Sequence, residues 1–262
     1  MQYMHFNSSC SFCGVANLLE LQGREVTDEA LFQAMRADIL LHYEEKDGHW
    51  QIGAMLQSGC WFDLALIPMG FHLEEYTAKQ EEIAYTLPPP FMVGLKMREG
   101  KGRHAHVLTE RDGDRMIFLN PHRKNDGEED LVVMTREECT RRLMPFSMVG
   151  RLASCTPKET DFEPLMAQSK KNWMQYQKEW ITFTAQPHVR EELLTLRDSF
   201  FRALLLDALE GARICGHREQ EQRLELLQCQ FMNSLKQEGP ILLSKILDNE
   251  AVQEAFEFYI AS

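Results

Sequence analysis

The stretch Asn7-Ser8-Ser9-Cys10-Ser11-Phe12-Cys13-Gly14-Val15-Ala16-Asn17-Leu18-Leu19 decides how the chain is read. Val15, Ala16, Leu18 and Leu19 share one helical face, and Gly23 stands just beyond as a stop signal. The pattern predicts a helix over 13–21 with Cys13 at its start. Unpaired N–H groups and the helix dipole there favour the thiolate, the nucleophilic form of cysteine. Such a thiol needs a histidine to take its proton and an Asn or Asp to hold the imidazole in the useful tautomer. The segment His104-Ala105-His106-Val107-Leu108-Thr109, followed by Leu119-Asn120-Pro121, supplies both. Asn7, ahead of Cys13, is a side-chain donor for a developing oxyanion, acting with the N–H of Cys13.

Outward from these motifs, Thr27 reads as the N-cap of a second helix with Leu31, Phe32 and Met35 as its buried stripe. From Pro88-Pro89-Pro90 onward the texture changes to strands over 91–97, 104–110 and 115–119, with Asp112-Gly113-Asp114 turning the last two into a meander. Thr135 and Glu138 have capping-box spacing, which predicts a short helix over 135–143 before a final strand near 148–153. After Thr156-Pro157 the period becomes helical, over 162–182, 189–209, 217–237 and a shorter pair within 241–260. The second of these carries Leu193, Leu194, Leu196, Phe200, Phe201, Leu204 and Leu205, a band too wide for a lone surface helix, which predicts a bundle. Two domains are expected, 1–156 and 157–262.

Composition narrows the function. The chain has 262 residues, 44% of them hydrophobic and 26% charged, which suits a globular protein with one large core or two smaller ones. A formal charge of -12 disfavours a nucleic-acid partner, because phosphate contacts need clustered Lys and Arg. Neither a secretory signal nor a membrane-spanning run is present in the sequence, so no membrane partner and a cytoplasmic location are expected. Seven cysteines without regular spacing argue for reduced thiols, with Cys60, Cys139, Cys155, Cys215 and Cys229 read as packing residues.

Cys13-Gly14-Val15-Ala16 resembles the nucleophile helix of papain-like cysteine peptidases, particularly the bacterial double-glycine leader peptidases, whose helix begins Cys-Gly-x-Ala. A histidine opening a strand (His104), an acidic-Gly turn (Asp112-Gly113-Asp114) and Asn120 before Pro121 follow in that family's order, within about the first 155 residues. The resemblance implies an α+β papain-like core with an antiparallel sheet, here followed by an all-α helical domain. It also implies Cys13 as nucleophile, His104 as base, Asn120 as orienter, a peptide or amide substrate and no cofactor. At the oxyanion position the family usually has Gln, where this chain has the shorter Asn7. The layout also resembles acyltransferases of the butirosin-biosynthesis type, which implies a thioester substrate, an amine acceptor and a carrier or partner protein at the helical domain.

Other readings of the same residues stay open. His106 falls on the same strand face as His104 and is a second candidate base. The Cys-Gly pair also suits a packed thiol beside a tight turn, in a non-catalytic interaction protein. His104, His106 and His122 suit zinc chemistry, but no further ligand has a recognisable spacing, so no metal is expected. Cys10-Ser11-Phe12-Cys13 has C-x-x-C spacing, with little room before it for the strand that delivers a redox motif.

Overall fold

The computed structural model describes residues 1–76, 84–97, 102–121, 129–143, 149–196 and 198–262, apart from the side chains of 194–199. His122, read above as a zinc candidate, lies outside the described residues. The chain forms two compact units, Met1–Met35 with Gln57–Thr160, and Arg36–Leu56 with Asp161–Ser262.

The first unit is the α+β part. It holds helices α1 (Cys10–Glu20), α2 (Asp28–Ala34), α3 (Gly59–Leu66) and α4 (Arg136–Arg142). Its six strands follow β1 (His42–Glu44) and β2 (His49–Gln51) of the second unit: β3 (Phe71–Tyr76), β4 (Phe91–Lys96), β5 (Arg103–Asp112), β6 (Arg115–Leu119), β7 (Leu131–Thr135) and β8 (Val149–Ser154). They pair antiparallel in the order β3-β8-β4-β5-β6-β7. The predicted meander is β4-β5-β6, and Gly113 takes its turn with φ 57°. Both predicted caps form, Thr27 Oγ1 accepting from the Ala30 N–H at 3.0 Å and Thr135 Oγ1 from the Glu138 N–H at 3.2 Å.

Period-two alternation gives this sheet two faces. Phe91, Val93, Leu95, Leu108 and Phe118 share one core with Cys139 of α4. Met92 and Ala105 face α1, and the contact is close because residue 14 has no side chain. A Cβ built there would lie 2.2 Å from Met92 Sδ and 3.6 Å from Ala105 Cβ. Gly14→Ala therefore gains about 1 kcal/mol of helix propensity but forces a fully packed methionine aside, which costs about 1–3 kcal/mol. The expected net result is a loss of stability, read as a lower urea midpoint with unchanged slope.

Aromatic packing dominates the second unit, which comprises α5 (Glu163–Thr184), α6 (Arg190–Leu196), α7 (Asp198–Arg202), a π-helical stretch Ala203–Ala208, α8 (Leu209–Cys215), α9 (Arg218–Ser234) and α10 (Asn249–Ala261). Trp173, Tyr176 and Trp180 lie on one face of α5 and are at most 1% exposed. They pack with Phe200, Phe201, Phe256 and Tyr259 in a core that also takes Ile39, Leu41, Trp50 and Ile52. The expected break at residue 156 thus needs correcting, because 36–56 sits with the helices. Ser169 Oγ accepts from the Leu41 N–H at 2.9 Å and donates to the Ile39 carbonyl at 3.0 Å, while Asn172 Nδ2 donates to the Leu41 carbonyl at 2.7 Å. The segment's backbone groups are satisfied by α5, as burial requires. Two helix readings also change. The run read over 189–209 is broken by a π-helical stretch, and 241–260 holds one α-helix preceded by the 3-10 turn Leu243–Lys245.

Candidate active site

Helix α1 begins at Cys10, one turn earlier than the apolar pattern suggests. Asn7, Ser8 and Ser9 form the turn before it, with Ser8 at φ 60° and the Ser9 hydroxyl donating to the Phe6 carbonyl at 2.8 Å. Edge-on packing of Phe6, Phe12, Phe32 and Phe62 at centroid distances of 4.9–5.7 Å anchors that turn. The helix end is thereby held firmly, with Cys10 in its first turn and partly exposed.

Cys13 sits one turn inside the helix and is 0% exposed. Its thiol donates to the Gln2 carbonyl at 3.3 Å, and Asn17 Nδ2 lies 3.6 Å from the sulfur. Asn17 also binds the Gln2 N–H and carbonyl at 2.9 and 3.0 Å, stitching the N-terminal segment to α1. Burial, then the nearby Asp28 and Cys10, raise the Cys13 thiol far above the ordinary range, with Asn17 offsetting part. In this structure Cys13 is enclosed and burial holds its thiol neutral, whereas a nucleophile needs access and a lowered pKa.

The remaining candidates separate as well. His106 is fully buried, its Nδ1 3.1 Å from the His104 carbonyl and its ring edge-on to Phe118. In the β4–β5 register His104 pairs with Leu95 and His106 with Val93, both of the face turned from α1. Asn120 is 2% exposed at the end of β6, its N–H donating to the Asp130 carbonyl at 2.9 Å. Asn7 is exposed in the turn before α1.

A cleft of about 280 Å³ opens beside the start of α1. Cys10, Ser11, Gln57, Glu75, Arg103 and His104 are among its lining residues, and Cys13, Asn7 and Asn120 are not. Of the expected site residues it holds His104 alone. It adds Cys10, one helical turn before Cys13, and Gln57, whose amide oxygen accepts from the Ser11 hydroxyl at 3.2 Å. Glu75 supports the wall by accepting from the Gly59 N–H at 2.7 Å. A thiol at a helix N-terminus, an imidazole and an anchored amide are the groups that nucleophilic acyl chemistry uses. Cys10 was legible as half of the C-x-x-C pair. Gln57 carried no sequence signal.

No described helix is long and apolar enough to cross a membrane. No family model matches the chain, and no curated protein matches it. Among solved structures it is similar to the peptidase domain of Streptococcus ComA, a bifunctional ABC transporter involved in a quorum-sensing pathway. That match is 15% identical with a TM-score of 0.40, and covers 58% of this chain and 96% of that one. It is also similar to a double-glycine motif protease from an AMS/PCAT transporter in complex with the leader peptide, at 14% identity and a TM-score of 0.40, covering 58% of this chain and 89% of that one.

Proposed function

We propose that the protein is a cysteine-dependent acyl-transfer enzyme that hydrolyses a peptide or amide bond, with Cys10 as nucleophile and His104 as its acid–base partner. The observation that carries this reading is the shared cleft, which Cys10, in the first turn of α1, and His104 both line. Cys10 Sγ attacks the substrate carbonyl as its proton passes to His104, and the oxyanion is met by N–H groups of the helix start and by the Gln57 amide. Collapse expels the amine with the proton from His104. Water then cleaves the thioester and regenerates the thiol.

Site-resolved alkylation tests the nucleophile directly. Near neutral pH Cys10 should label faster than the exposed Cys60 and Cys229, and Cys13 only on unfolding. Labelling of Cys10 no faster than Cys60 and Cys229 rejects the reading. The β5 register favours a second reading, because it turns His104 and His106 to the face opposite α1. On that reading the unit is a non-catalytic binding module, and His104→Ala leaves the labelling rate of Cys10 unchanged.

A further inference from the structure

We propose that Asp38, Cys215 and His217 bind a divalent transition-metal ion of the zinc class, which ties the 36–56 segment to the corner between α8 and α9. One ligand atom from each of the three residues lies within 4.8 Å of the others, and all three residues belong to the second unit. This cluster is remote in sequence, Asp38 standing 179 residues before His217, so spacing alone gave no hint of it.

The corner is built to present the pair. α8 ends at Cys215, and Gly216 turns the chain with φ 71°, a conformation that favours glycine. The His217 N–H closes the turn on the Ala212 carbonyl at 2.9 Å. The imidazole packs against Phe258 at a centroid distance of 5.1 Å, and its Nε2 lies 3.0 Å from Asp38 Oδ2. Asp38 is only 8% exposed, whereas Cys215 and His217 are partly exposed, which leaves a side open to solvent.

Ligand chemistry and charge both fit. Thiolate, imidazole and carboxylate are zinc ligands, and three protein ligands leave the fourth tetrahedral position to water. One thiolate and one carboxylate neutralise a dication. With metal–ligand bonds of about 2.0–2.3 Å, tetrahedral ligands stand roughly 3.3–3.6 Å apart, so the imidazole–carboxylate pair opens by only a few tenths of an ångström. On binding, the Cys215 S–H bond breaks, its proton goes to solvent and a sulfur–metal bond forms. The imidazole ligates through Nε2 as the neutral ring, and the proton released on forming the sulfur–metal bond is that of Cys215.

Cobalt(II) titration of the chelator-treated full chain tests the proposal. One equivalent should bind with a thiolate-to-cobalt charge-transfer band, the intense visible bands of a four-coordinate ion and release of one proton, and zinc should displace it. Cys215→Ser should remove the charge-transfer band, and His217→Gln and Asp38→Asn should each weaken binding by about 10-fold or more. In the unmutated protein, zinc should slow alkylation of Cys215 and leave that of Cys60 and Cys229 unchanged, which requires no variant to fold. A band that survives Cys215→Ser, affinity unchanged by His217→Gln, or Cys215 labelling indifferent to zinc would overturn it.

Discussion

Cys10→Ser should abolish formation of an acyl-enzyme from an activated ester or thioester, and Cys13→Ala should leave that reaction within a few-fold of the unmutated rate. Removing the nucleophile of a concerted site typically lowers turnover by about 10³-fold or more. Removing a small buried thiol perturbs packing, at about 1 kcal/mol of stability. The two cysteines stand three residues apart on one helix, so the comparison holds the fold constant and varies access. Cys10 opens on the cleft, whereas Cys13 is closed off by Gln2 and Asn17. Intact-mass detection of the acyl adduct reads the outcome with the activated ester alone, whatever the natural substrate. Adding a primary amine then separates hydrolysis from acyl transfer by whether the adduct ends as acid or amide. The reverse pattern, with Cys13→Ala inert and Cys10→Ser active, would restore the reading drawn from the Cys-Gly-x-Ala motif.

The difference between the two thiols shows where sequence stops informing. Helical period identified α1 and its buried face, because apolar spacing survives in any helix that packs. It did not locate the first residue, which depends on the Ser8–Ser9 turn and the aromatic cluster around Phe6. Strands β4 to β6 were legible through apolar, strand-prone runs and an Asp-Gly-Asp turn, yet which face meets α1 rests on register. The two-faced burial of this sheet hides that in the sequence, since both faces are apolar. The strands β1 and β2 have three residues each, too few for a period, and their attachment to α5 depends on Ser169 and Asn172 more than 100 residues away. Gln57 reaches the cleft for the same reason, through folding rather than motif.

Trp173→Ala should be the most damaging single change in the second unit, lowering its stability by about 3–5 kcal/mol. The side chain is 0% exposed and stacks on Tyr259 with centroids 4.1 Å apart and planes 7° from parallel. It also meets Tyr176 and Phe256 at 5.9 and 6.1 Å, so truncation opens a cavity among rings too rigid to collapse into it. Its Nε1 donates to the Ile39 carbonyl at 2.9 Å, the same carbonyl that accepts from Ser169. One residue therefore joins the aromatic core to the 36–56 segment. Trp173→Phe separates these roles, keeping most of the ring packing and losing the hydrogen bond, and should cost about 1–3 kcal/mol. Hydrogen exchange by mass spectrometry reads both effects. Trp173→Ala should deprotect α5, α10 and residues 36–56 together, while strands β4 to β6 keep their protection. Deprotection of the helices without residues 36–56 would mean that the segment is held by something other than α5, and its assignment to this unit would fail.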